Sequence, residues 1–267
     1  MIDLEGFRNY LYEEELSPNT IRCYMTGVKQ FAEQYTDITK PALIAFKQNL
    51  IGKGAKPKTV NNRITALLQY CKFKDIPMRV KQVKEQRKTH IDNVITDDQV
   101  EHLMNSLKAD GNMVWYYNIL LLEKTGMRIS EARKIKKKDI LNGSVTIPTK
   151  AHMRTIYFPK SLVDEMREYL SGLDDDALVL RSQCGKGLSK EAVNGRLKVF
   201  AEKYSIPREV MHAHSFRHFF AIEFLKRKNN IALLADILGH SSVNVTQIYL
   251  RQSQEQQKDA VDEAVNW

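Results

Sequence analysis

From residue 125 onward the sequence carries six side chains whose types and order suit chemistry at a phosphodiester. They are Arg128 in TGMRISEA, Lys150 in the dipeptide TK, His214 and Arg217 in HSFRH, and His240 and Tyr249 in LGHSSVNVTQIYL. Two guanidiniums can grip the non-bridging oxygens of a pentavalent phosphorus with charge-assisted bonds, which suits Arg128 and Arg217. A tyrosine hydroxyl, with an ordinary pKa of about 10, can attack in line once a base or a positive field lowers the cost of losing its proton. Lys150 can protonate the leaving oxygen, and His214 and His240 can shuttle protons or donate hydrogen bonds. Each piece alone is common at a protein surface. In this order they form a chemically coherent set.

The elements that must position them are mainly helical. Residues 3–14 place Leu4, Phe7 and Leu11 on one face, and Ser17 followed by Pro18 opens a second helix carrying Ile21, Tyr24, Val28 and Phe31. A third helix follows Thr39 with Leu43, Phe46 and Leu50, GKGAKP breaks the chain, and TVNNRITALLQYCKF supplies a fourth. This predicts a compact four-helix unit over residues 1–78. The stretch from Lys72 to Lys88 holds seven basic residues against two acidic ones. A basic interdomain linker is placed at 79–92, with Lys81, Lys84, Arg87 and Lys88 as candidate phosphate contacts.

The second unit, 93–267, opens at Thr96 as a cap before Asp97 and Asp98, continues through the apolar helix VWYYNILLLEKTG to a left-handed cap at Gly126, and then RISEARKIKKKDI reads as one short helix. SVTIPTK and RTIYFP alternate as a β-hairpin around KAHM. Helices are predicted again at 161–170, 189–204, 215–227, 231–238 and 242–250, the last carrying Tyr249 about two turns in. In the run RKIKKK, Lys136 and Lys137 are weighed equally as a solvated helix end and as phosphate contacts. His218 reads as structural, and His152 and Arg154, beside Lys150, as side chains within reach of backbone.

Composition narrows the class. The chain has 267 residues, 43% of them hydrophobic, and 41 Lys and Arg against 32 Asp and Glu give a net charge of +9, which favours a polyanionic partner. No uncharged run approaches the roughly 18 residues needed to cross a bilayer, so a cytoplasmic protein is expected. Cys23, Cys71 and Cys184 lack metal-ligand spacing, Asp174, Asp175 and Asp176 stand adjacent as in an exposed loop, and GKGAKP and CGKG lack phosphate-loop spacing. No cofactor is assigned.

The ordered set TG-x-R-x-SE, hairpin lysine, H-x-x-RH, LGH and a tyrosine nine residues beyond that histidine resembles the tyrosine recombinase (phage-integrase) family over essentially the whole chain. The compact layout resembles Xer-type and transposon integrases. The resemblance implies an N-terminal helical, SAM-like core-binding domain and a mixed α/β catalytic domain. By the resemblance, Tyr249 is the nucleophile, Arg128 and Arg217 clamp the phosphate, Lys150 is the general acid, His214 assists proton transfer and His240 holds the phosphate. Glu131 supports the site. TKAHMRT departs from the Gly-Lys-Gly turn of many relatives, which leaves the geometry around Lys150 open.

The implied activity is site-specific strand exchange on double-stranded DNA with core recombination sites, through a 3′-phosphotyrosyl link and a Holliday junction within a homo-tetramer. A prokaryotic, nucleoid-associated enzyme of a mobile element is the expected setting, with an accessory DNA-bending protein as a further partner and no membrane. The tail QSQEQQKDAVDEAVNW is expected to dock on a neighbouring protomer through Val261, Ala264, Val265 and Trp267. Two rivals stay open: a type IB topoisomerase and a catalytically silent DNA-binding protein.

Overall fold

The computed structural model describes residues 2–85, 93–148, 153–239 and 246–250, with Asp262 and Val265 of the tail. Lys150, His152, His240, Arg87, Lys88 and the expected tail contacts other than Val265 lie outside the described residues. The chain divides into two compact units, residues 1–87 and 88–267.

The first unit is built from α1 (Leu4–Glu13), α2 (Pro18–Ala32), α3 (Lys40–Gly52) and α4 (Pro57–Phe73). Ser17 accepts a hydrogen bond from the Thr20 amide at 3.3 Å and Thr39 one from the Ala42 amide at 3.3 Å. Each satisfies an amide that the helix itself leaves unpaired. Proline stands in the first turn of α2, α3 and α4, where its missing N–H costs nothing. Phe7, Leu11, Val28, Phe31, Leu43, Phe46, Ile64 and Leu67 are completely buried and make the core. Gly27 of α2 faces α4 so closely that a Cβ there would lie 2.8 Å from the Ala66 Cβ. Beyond α4, Val80 and Val83 pack on this core, the Val83 amide donates to Asn61 Oδ1 at 2.8 Å, and Asn61 Nδ2 donates to the Val83 carbonyl at 3.0 Å. Residues 79–85, expected as linker, therefore lie along the helical unit with Lys81 and Lys84 exposed on them.

The second unit begins with α5 (Asp97–Ala109), capped by Thr96 and Gln99 in a reciprocal box, and α6 (Met113–Thr125). Trp115, Ile119, Leu120, Leu121 and Leu122 bury α6 around most of its circumference, as expected of a central helix. Gly126 ends it in the left-handed conformation at φ 57°. The next segment differs from expectation: it forms two short pieces, α7 (Ile129–Ala132) and α8 (Lys137–Leu141). The break comes at Ile135, which is fully buried, and Lys136, whose extended backbone bridges Leu178.

Strands β1 (Ser144–Pro148) and β2 (Met153–Tyr157) pair antiparallel, with Ile147 opposite Arg154. Then come α9 (Lys160–Ser171), α10 (Lys190–Lys203), α11 (Ala213–Arg227) and α12 (Ile231–Leu238). Helix α11 starts two residues earlier than predicted because His212 caps it, its Nδ1 accepting the Ser215 amide at 3.0 Å. Ser215 is itself buried; its hydroxyl accepts the Ile95 amide at 2.8 Å, tying α11 to the start of the unit. The last described element is a 3-10 turn, Gln247–Leu250, which packs on α11. Tyr249 thus sits on a tight turn, where a helix over 242–250 was predicted. Among the described residues, no helix is long and apolar enough to cross a membrane.

Candidate active site

The site is organised around the C-terminal end of α12. A helix end leaves its last carbonyls without partners and carries the negative end of the helix dipole. Here those carbonyls face three arginines. Arg217 Nη2 donates to the Leu238 carbonyl at 2.7 Å, and Nη1 to the Gly126 carbonyl at 2.9 Å. Arg128 Nη1 donates to the same Leu238 carbonyl at 3.4 Å and Nη2 to the Gly239 carbonyl at 3.1 Å. Arg154 donates to the Ile237 carbonyl from Nε at 3.0 Å and from Nη2 at 2.6 Å. The two predicted phosphate clamps therefore share one acceptor, brought from sequence positions 89 apart.

Glu131 supplies the compensating charge. Its carboxylate accepts the Arg128 amide at 2.7 Å, Arg128 Nη1 at 3.1 Å, and a short ion pair from Arg154 Nη1. Burial alone would raise the Glu131 pKa, but these donors and the Arg154 charge overcome it and hold the carboxyl below its ordinary value. Arg217, only 1% exposed, is pushed down to about 10 by burial and by the Arg128 and Arg154 charges. It still carries its charge at neutral pH.

Gly239 is required here on two counts. It caps α12 at φ 63°, a left-handed conformation that costs a residue with a Cβ, and a Cβ would lie 2.4 Å from Arg154 Cδ. The glycine of the LGH motif is thus the floor over which Arg154 passes from the hairpin to Glu131.

Tyr249 is half-buried beside Leu234, Leu238, Ala221 and Leu225, and its hydroxyl lies 2.8 Å from His218 Nδ1. Burial raises the Tyr249 pKa, while the Arg217 and Arg128 charges pull the other way. His214, one helical turn before His218, is exposed, and the two rings stand edge to face with centroids 4.2 Å apart. Desolvation first, then the Arg217 charge, lower its pKa.

The structure brings together Arg128, Glu131, His214, Arg217 and Tyr249. Lys136 and Lys137 stand elsewhere: Lys136 pairs with Asp176 at 2.8 Å and Lys137 with Asp175 at 3.1 Å. Two residues take larger parts than the sequence suggested. His218, read as structural at a helix start, lies well inside α11 and holds the tyrosine hydroxyl. Arg154, read only as touching backbone, is 3% exposed and forms the buried ion pair. A charged residue on the inward face of a strand, two positions before Ile156, is the signal that could have marked it.

The phage integrase family model matches residues 93–256. Tyrosine recombinase XerA of Pyrococcus furiosus is 31% identical, over 98% of this chain and 93% of its own length. In fold, the chain is similar to the Tn1549 transposon integrase in complex with transposon right-end DNA, with a TM-score of 0.74 and 16% identity over the whole of both chains. It is also similar to the XerH site-specific recombinase bound to its difH substrate, with a TM-score of 0.68 and 20% identity, over 92% of this chain and 80% of that one.

Proposed function

The chain belongs to the phage integrase family, and from that premise we propose that it is a site-specific recombinase that cuts and rejoins double-stranded DNA through Tyr249. The observation that carries this reading is the convergence of Arg128 and Arg217 on the Leu238 carbonyl, with Tyr249 packed on the apolar cluster to which Leu238 belongs. A scissile phosphate entering there meets two guanidiniums already held in place, Arg217 buried and Arg128 part-exposed, so little reorganisation is needed when charge develops on its oxygens.

The Tyr249 hydroxyl attacks phosphorus, a 3′-phosphotyrosyl bond forms, and the bond to the 5′-oxygen breaks. That oxygen leaves with a proton from Lys150. His214, exposed beside Arg217, donates to a non-bridging oxygen, and His240 holds another. Glu131 fixes Arg128 and takes no proton. The freed 5′-hydroxyl of a partner duplex reverses the step, which conserves the phosphodiester and yields a Holliday junction after exchange of one strand pair. A tetramer linked through C-terminal tails, an accessory DNA-bending protein, and phosphate contacts from Lys81, Lys84, Arg87, Lys88, Lys136 and Lys137 complete the proposal. Lys136 and Lys137 would have to exchange their aspartate partners for phosphates.

Covalent capture tests it. The protein is incubated with a randomised duplex library, and DNA that survives denaturation on the protein is sequenced. A discrete core sequence is expected with the native chain, and none with Tyr249→Phe, which should still bind that sequence without covalent linkage. An adduct formed by Tyr249→Phe overturns the assignment. Exchange between two captured sites, as against relaxation of supercoils alone, separates a recombinase from a topoisomerase.

A further inference from the structure

The proton on the nucleophile needs an acceptor. Tyr249 is half-buried against the apolar cluster of Ala221, Leu225, Leu234 and Leu238, and that burial disfavours the free phenolate. The hydroxyl must therefore lose its proton as the bond to phosphorus forms, to a group already in contact with the oxygen.

His218 is that group by position. Its Nδ1 lies 2.8 Å from the Tyr249 oxygen, and the two ring centroids are 5.5 Å apart. A phenol is a far weaker acid than imidazolium, so towards a neutral imidazole protonated at Nε2 the hydroxyl is the donor and Nδ1 the acceptor. His218 also occupies the position next to Arg217 on α11, which rigidly couples the acceptor to a phosphate clamp. The ring of His214 stands edge-on to it, with the centroids 4.2 Å apart. The nucleophile is thus held at two points: its ring by an apolar cluster, its oxygen by an acceptor on a separate helix.

We propose that His218 is a catalytic residue, the general base that takes the Tyr249 proton during attack and returns it during rejoining. In cleavage, the Tyr249 oxygen forms its bond to phosphorus while its proton moves to His218 Nδ1, and the 5′-oxygen departs with a proton from a different group. In rejoining, the imidazolium gives its proton back to the departing tyrosine oxygen. This rests on Tyr249 being the nucleophile.

The test uses nicked duplexes of the captured core sequence, on which cleavage releases a short fragment and traps the adduct, with single-turnover rates measured at saturating protein. One duplex has the normal 5′-oxygen; the other has a bridging 5′-sulfur, which leaves without being protonated. His218→Asn can still hydrogen-bond the hydroxyl but cannot accept its proton. It should slow adduct formation about 100-fold or more on both duplexes, within the range typical of general base loss. Lys150→Ala should be slow only on the oxygen duplex. Binding of both duplexes should be unchanged; if Asn costs the fold, His218→Gln is read in the same way. A His218→Asn rate close to that of the native chain, or recovery on the sulfur duplex, overturns the proposal. Adduct formation by Tyr249→Phe overturns instead the reading on which it rests.

Discussion

The two units of the chain handle buried polarity in opposite ways. In the helical unit, among the described residues, tyrosine hydroxyls aside, Asn61 is the one buried polar side chain, and it is matched to both the amide and the carbonyl of Val83. The second unit buries Asn118, Thr125, Glu131, Arg154, Ser215, Arg217 and Thr246. Burying a charge is costly unless it is paired and hydrogen-bonded. The second unit meets that demand with one carboxylate and the free carbonyls of helix ends, which leaves it with two desolvated guanidiniums, Arg154 and Arg217, in the unit that carries Tyr249. The first unit is held by apolar packing, whereas the second accepts electrostatic cost to keep a positive site in place.

If this contrast is right, the largest effect should come from the buried ion pair. Arg154→Met keeps the volume of the side chain but removes the charge, leaving Glu131 with Arg128 alone and the Ile237 carbonyl without its two donors. A cost of about 3–5 kcal/mol is expected, measured by denaturant unfolding, with amide exchange placing the loss in the second unit. The pH dependence follows from the depressed Glu131 pKa. Its contribution is present above the ordinary value of 4.5 and is lost as pH falls through the lower folded value. Without Arg154 that loss should begin at higher pH. An unchanged acid limb, together with stability close to that of the native chain, would remove the contrast.

The same difference explains what the sequence revealed. Apolar spacing at three and four residues is a direct record of packing, so α1 to α4 and α6 follow from Phe7, Leu11, Phe31, Phe46 and their neighbours, and Ser17, Thr39 and Thr96 mark the starts of α2, α3 and α5. The order of Arg128, Arg217 and Tyr249 was equally legible, because their chemistry fixes their types. What the spacing left unassigned is the facing of β2: Met153 and Tyr157 are each 62% exposed, while Arg154 turns inward with Ile156. An inward arginine is stable only because Glu131 and the end of α12 await it, and no local pattern encodes partners 23 and 83 residues away. His218 was missed for the same reason, since its partner lies 31 residues on.

Gly239→Ala sharpens the contrast at smaller scale. The left-handed backbone alone costs an alanine about 1–2 kcal/mol. The new Cβ would also strike Arg154 Cδ, which cannot move freely because Nε and Nη2 are held by Ile237. The observed loss should therefore exceed the backbone cost. In an Arg154→Ala background it should shrink to that cost, and a double-mutant cycle reads the difference as coupling. Strict additivity would mean that Arg154 and the LGH turn are independent, contrary to the geometry.

The smallest effect belongs to the helical unit. Ser17→Ala removes the acceptor for the Thr20 amide at the start of α2, a loss of about 1 kcal/mol. Because this unit is held by a distributed apolar core, the loss should appear as faster amide exchange in α1 to α4 and nowhere else. Single-turnover cleavage at saturating protein should not change, since Ser17 belongs to the helical unit and the described site residues to the second. A fall in the cleavage rate comparable to the loss of stability would show that the apolar unit helps to set the charged one, and that the two strategies are energetically a single structure.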